Sequence, residues 1–171
     1  MQGERVRKYL QEQGVPFEEI PHPRVVDAQT LAHLEHESGW RIAKTVMLRL
    51  GSKLTMAVVP APVRVDLRRI KEGLQREDVR LASETEYAGA FPDCEVGAEP
   101  PFGNLYGMQT FIDRSILRDP YLVFRDGTHR GTLKVGLSDY LRVANGIQLD
   151  IGMLPPNIPK ETTLWGESET Y

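Results

Sequence analysis

The chain has 171 residues, 21 Lys and Arg against 24 Asp and Glu, a formal charge of −3 and 40% apolar residues, which describes one globular domain and excludes a general nucleic-acid coat protein. The single cysteine, Cys94, forms no internal disulfide, in keeping with a reducing compartment. The longest apolar stretch, Met56–Val63, is eight residues with two prolines, and the N-terminus has no signal-like apolar region, so no membrane association and a cytoplasmic setting are expected.

The first fourteen residues predict a helix, with Val6, Tyr9 and Leu10 at helical spacing and Gly14 as a left-handed stop. Val15, Phe17 and Ile20 alternate into a short strand that ends at Pro21-His22-Pro23. A second helix is expected from about Ala28 to Glu37, capped by Asp27. Lys44–Leu50 and Leu54–Pro60 read as a β-hairpin closed through Gly51-Ser52-Lys53. Asp66–Leu74 has the pattern of a short amphipathic helix, Val79–Ala82 returns to β, and Ser83-Glu84-Thr85-Glu86 matches a capping box. Phe91–Gly107, with Pro92, Pro100 and Pro101, has no long apolar period and reads as a loop of functional length. Thr110–Asp113, Tyr121–Phe124 and Thr132–Gly136 read as strands, and Ser138 caps a last helix that Gly146 ends. Hairpins mixed with helices predict an α+β domain around a mixed or antiparallel sheet. The expected organisation is one domain over residues 1–145 and an extended or surface-lying tail over 146–171, which has little periodicity.

No phosphate-binding loop, dinucleotide fingerprint, nucleophile elbow or C-x-x-C occurs. His33 and His36, three apart on a predicted helix, lack a third metal ligand and read as a solvated face, so no metal or cofactor is expected. Cys94 with His22 makes a weak nucleophile pair, since nothing around Cys94 marks a depressed pKa. Two features carry more weight. Lys44 precedes the apolar run Thr45-Val46-Met47-Leu48, so its charge projects from the start of a core strand. Gly97-Ala98-Glu99-Pro100-Pro101-Phe102-Gly103 is stiffened by proline, with glycine at both ends for close backbone approach and Phe102 either as a stacking face or as a buried anchor.

These features sit in a longer pattern: Phe17…His22-Pro23…Ala28, Ala43-Lys44-Thr45-Val46-Met47-Leu48, Val58-Val59-Pro60 with Val65-Asp66-Leu67, Leu81–Glu86, Gly97-x-x-x-Pro101-Phe102-Gly103 and Ile112-Asp113. Over roughly Val15 to Val143 this pattern resembles the YbaK family of aminoacyl-tRNA deacylases, which is similar to the editing domain of bacterial prolyl-tRNA synthetases. The resemblance implies a barrel-like sheet flanked by helices. It implies hydrolysis of the ester joining a wrong amino acid to the terminal adenosine of a tRNA, without a metal. Carried over by position, Lys44 takes the role of the essential lysine, Gly97 that of the loop glycine, and Phe102, Gly103 and His22 line the substrate site. No side chain is an evident general base, in line with assistance by the substrate's ribose hydroxyl, and Lys44 is then an electrostatic and positioning group. The stretch Arg125–Lys134 departs from the family: Asp126 stands about where a pocket serine falls, and Thr132 or Leu133 near a pocket aspartate.

The expected partner is the acceptor end of an aminoacyl-tRNA, with an aminoacyl-tRNA synthetase as a second. Arg41, Arg64, Arg68, Arg69 and Lys71 are the candidate phosphate contacts. Two alternatives stand beside a trans-editing deacylase: a non-catalytic module that binds the tRNA acceptor end or a synthetase, and an esterase for small aminoacyl esters.

Overall fold

The computed structural model describes residues 2–21 and 39–154. The helix expected over 28–37 lies outside the described residues. The described elements, in chain order, are α1 (Glu4–Glu12), β1 (Glu18–Pro21), β2 (Ala43–Leu50), β3 (Lys53–Pro60), β4 (Arg64–Val65), α2 (Leu67–Leu74), β5 (Val79–Leu81) and the single turn α3 (Glu84–Tyr87). After the long loop come β6 (Thr110–Asp113), β7 (Tyr121–Arg125), β8 (Gly131–Gly136), α4 (Leu137–Ala144), β9 (Ile147–Leu149) and β10 (Gly152–Met153). The predicted α+β class and mixed pairing are what the molecule has.

β2 and β3 pair antiparallel from Ala43↔Pro60 to Leu50↔Lys53, the hairpin that the glycine turn predicts. They are the middle of a mixed five-stranded sheet, β5-β2-β3-β6-β9, in which β3–β6 and β6–β9 run parallel. A second, antiparallel sheet has the order β1-β8-β7, and β10 pairs with β4. The sheets do not close into the expected barrel. β7 meets the larger sheet at one parallel bridge, Ile42↔Val123, and β5 covers only Leu48–Leu50 of β2, so closure lacks a ladder. Among the described residues, the edge of β2 over Lys44–Val46 therefore carries no paired strand on the side away from β3.

Both faces of the hairpin are buried, which is why β3 reads as the unbroken apolar run Met56-Ala57-Val58-Val59. Ala43, Met47, Met56 and Val58 pack with Val6, Leu10, Phe102, Phe124 and Tyr140 on one face. Leu48, Leu50, Ala57 and Val59 pack with Ile70, Phe111 and Ile151 on the other. Each such buried Val, Leu, Ile, Met or Phe side chain contributes about 1.5–3 kcal/mol.

Two local expectations shift. α4 starts after Gly136 rather than at Ser138, and Asn145, at φ +54°, takes the left-handed stop that was expected of Gly146. Gly146 is required small for another reason: a Cβ there would come 2.7 Å from Ile112 Cδ1. The stretch expected as an extended tail begins with β9 and β10, held by Asp113 Oδ1, which accepts hydrogen bonds from the Ile151 and Gly152 amides at 2.8 Å each. Among the described residues, no helix is long and apolar enough to cross a membrane.

Candidate active site

Lys44 is the second residue of β2 and is half-buried. Its ammonium donates to the Ala61 carbonyl at 3.0 Å, and among the described residues its other two protons have no acceptor. Burial, and next the charge of Arg64, lower its pKa below the ordinary lysine value. A lysine anchored this way is a directed cation beside the open edge of β2, the setting in which a developing oxyanion is stabilised.

Successive strand residues point to opposite faces, so Lys44 shares a face with Val46 and Leu48 while Thr45 points with Ala43 and Met47 toward the long loop. Thr45 Oγ1 lies 3.5 Å from the Glu99 carbonyl oxygen. The loop thus meets β2 through Thr45, and Lys44 and Gly97 flank the open edge through different faces of the strand rather than through a contact of their own among the described residues.

Gly97 has φ +88°, a conformation that side chains with a Cβ rarely adopt. Its amide donates to Glu99 Oε2 at 3.1 Å, and its carbonyl accepts from Arg125 Nη1 at 3.2 Å. The amide of the loop glycine is thus taken by a carboxylate of the same loop. Arg125 Nη1 also donates to His129 Nδ1 at 3.2 Å, and His129 Nε2 donates to the Val96 carbonyl at 2.8 Å. With Nδ1 accepting and Nε2 donating, His129 is the neutral Nε2–H tautomer. The His129 amide donates to Glu95 Oε1 at 2.8 Å. The stretch in which the chain departs from the YbaK pattern is therefore a clamp on the Gly97 turn. Asp126 is occupied elsewhere: it pairs with Arg7 at 2.7 Å and accepts from the Thr128 amide and hydroxyl. Glu99 itself is only 6% exposed, and burial raises its pKa above the ordinary glutamate value. Arg125, His129 and Glu99 were not individually singled out in the sequence; the signals were the departure of Arg125–Lys134 from the family pattern and an acidic residue inside an otherwise apolar Gly/Pro loop.

The other end of the loop is core. Phe102 is fully buried, with edge-on contacts to Tyr9, Phe124 and Tyr140 at centroid distances of 6.1, 5.3 and 5.2 Å. Its ring is enclosed by these neighbours, so the buried-anchor reading of Phe102 is the one the geometry supports, not the stacking face. The Gly103 amide donates to Thr110 Oγ1 at 3.0 Å, and a Cβ at Gly103 would collide with that oxygen and sit 2.9 Å from the Met108 carbonyl. Gly103 is small for packing. Tyr140 fixes the turn by donating to the Pro101 carbonyl at 2.8 Å.

His22, His33 and His36 lie outside the described residues, and among those described no three His, Cys, Asp or Glu gather as a metal set. The Cys94 thiol lies 3.2 Å from the Tyr106 hydroxyl, and burial pushes its pKa up to about 12, opposite to what a nucleophile needs. Of the candidate phosphate contacts, Arg69 is committed to the Gly152 carbonyl at 2.6 Å and Arg41 stacks on Tyr121 and pairs with Asp119, whereas the Arg68 side chain is 79% exposed.

A family model described as "Aminoacyl-tRNA editing domain" matches residues 22–143, a span that holds Lys44, the open edge, the Gly97 loop and its clamp. Among solved structures, hypothetical protein APE2540 superposes with a TM-score of 0.79 at 18% identity, covering 87% of this chain and 99% of its own. A proposed trans-editing enzyme for prolyl tRNA synthetase superposes with a TM-score of 0.75 at 19% identity, covering 88% and 96%. A proposed signal transduction protein from Marinobacter aquaeolei VT8 carries the same fold in 32% of its length, with a TM-score of 0.69, 18% identity and 91% of this chain covered. No curated protein matches the sequence. The structural likenesses show a shared fold, and the family match spans most of the chain: it belongs to the aminoacyl-tRNA editing domain family.

Proposed function

We propose that the protein hydrolyses the ester bond of a mischarged aminoacyl-tRNA in trans, releasing the free amino acid and the tRNA with its terminal hydroxyl restored. The observation that carries this reading is the family match over residues 22–143, within which the half-buried Lys44 stands at the open edge of β2. The likeness to a proposed trans-editing enzyme for prolyl tRNA synthetase supports a tRNA charged in error as the substrate.

The ester carbonyl lies across the Lys44–Val46 edge. Water, assisted by the neighbouring ribose hydroxyl, adds to the carbonyl carbon. The oxyanion that forms is met by the Lys44 ammonium, and collapse of the adduct expels the ribose oxygen, which takes up a proton. Lys44 acts as a fixed charge, so its replacement removes stabilisation that exists only in the transition state. Lys44→Ala is expected to lower deacylation at least a thousandfold with an unchanged fold, and Lys44→Arg to restore little, because the guanidinium fork differs in reach and shape. Since burial lowers the Lys44 pKa, activity is expected to fall as pH rises through a value below the ordinary lysine range. A screen over tRNAs carrying Ala, Ser, Cys, Pro and Thr reads all of this.

One observation favours the non-catalytic reading, a module that binds the acceptor end or a synthetase: the Gly97 amide is held by Glu99 instead of being open to an ester. Amino-acid release by the wild type in the same screen, lost in Lys44→Ala, excludes that reading; binding of charged and uncharged tRNA alike with no release establishes it.

A further inference from the structure

Glu99 is a carboxylate in a place where carboxylates are costly. Its residue surface is 6% exposed, yet among the described residues its carboxylate takes part in no ion pair and accepts from no side-chain donor. What bonds to it is backbone, the Gly97 amide at 3.1 Å and its own amide; the His129 ring also lies near enough for a charge there to favour the ionised form, but its Nδ1 accepts from Arg125 and its Nε2 donates to the Val96 carbonyl, so it makes no ion pair with Glu99. Amides orient a carboxylate without neutralising it, and a desolvated anion with no ion-pair partner among the described residues is the arrangement that a cationic ligand relieves. The surroundings are built to hold this group still. Gly97 adopts φ +88° to aim its amide inward, and Arg125 fixes the same peptide from the carbonyl side. The contact of Thr45 Oγ1 with the Glu99 carbonyl sets the residue against the start of β2, one position from Lys44.

The substrate class of the proposed deacylase has one cation that every member shares. An aminoacyl ester carries its α-amino group one carbon from the scissile carbonyl, and such groups are ammonium below about pH 7.7–8.0. Resting on the deacylase reading, we infer that Glu99 is the specificity residue that receives the α-ammonium of the aminoacyl group. The Gly97 turn then serves to hold this carboxylate, and the oxyanion falls to Lys44. This division explains why the loop glycine spends its amide on a side chain of its own loop. It also sets a selectivity: an N-blocked aminoacyl or peptidyl ester offers no cation and is refused.

The test uses the intact protein and adenosine 3′-amides of alanine, serine and proline, which cannot be hydrolysed as esters, each with a free and with an N-acetylated amino group. Calorimetry at pH 6.5 is expected to show the free-amine forms binding wild type at least tenfold more tightly than the acetylated forms. Glu99→Gln should abolish that preference and leave acetylated forms within twofold of wild type, whereas Glu99→Asp should retain part of it. In the wild type alone the preference should fade on acidification as Glu99 is protonated, with Glu84 and Tyr87 from α3, Cys94 and His129 as the other titratable groups facing it. Equal losses for both forms in Glu99→Gln would make the residue a loop brace and overturn the assignment. So would a wild type that does not discriminate the two forms, or binds neither. Binding preference without release of amino acid from any charged tRNA sinks the deacylase reading and leaves Glu99 as an ammonium site; release without preference does the reverse.

Discussion

The two halves of the Gly97–Gly103 loop, adjacent in one short stretch, sit in opposite surroundings. The first half, Gly97–Glu99, keeps a buried carboxylate on a left-handed turn; Arg125 at the end of β7 ties it at the Gly97 carbonyl, and His129 in the loop after β7 ties the preceding residue, Val96. The second, Pro101–Gly103, is filled in by Tyr9, Phe124, Tyr140 and Thr110 and belongs to the main core. On the proposed reading, one half presents chemistry because the other is rigid: an anion is held out of water best on backbone that cannot relax around it.

That contrast breaks most visibly at Phe102. Phe102→Ala removes a ring enclosed by three aromatic neighbours, so a loss of about 3–5 kcal/mol and a drop in Tm on the order of 10 °C are expected by calorimetry. Gly103→Ala should act the same way by overpacking against Thr110 and Met108, costing about 1–3 kcal/mol. In both, KM measured on the folded fraction should stay near wild type; a KM effect without a stability loss would place the second half in the substrate site as well.

Gly97→Val probes the first half and should divide the other way. A Cβ there meets His129 Cε1 at 3.5 Å, an ordinary contact, so the cost comes from φ +88°, about 1–2 kcal/mol of backbone strain. Deacylation is expected to fall at least tenfold because the turn that carries Glu99 is displaced. A variant with wild-type kcat/KM would show the turn to be incidental.

The smallest expected effect is on the pH dependence of stability. The Glu99 pKa is raised in the folded state, chiefly by burial, so the folded protein holds that proton over a window above the ordinary glutamate value of 4.5 in which the unfolded chain has released it. Stability is therefore full below the unfolded value and falls as pH rises through the folded one. Glu99→Gln should flatten that fall in denaturant titrations, while Phe102 variants should leave its slope alone.

The order and type of most described elements were open to reading from residues alone, because they rest on local rules; the short strands β4, β9 and β10, which exist only through their pairing partners, were not. Gly14 and Gly51 stop a helix and turn a hairpin, and Asp66 caps α2 by accepting from the Arg68 amide at 3.0 Å. The lysine at the head of a core strand was equally legible, since apolar residues fix where a strand begins. The partners of the loop were not. Whether Phe102 stacks on a ligand or fills the core depends on Tyr9, Phe124 and Tyr140, three residues that adjoin it only through folding. The same holds for Glu99, whose only mark in the sequence is its place in an apolar Gly/Pro loop. Its burial without an ion pair among the described residues is a property of every group around it at once, and burial is set by long-range packing that no local pattern encodes.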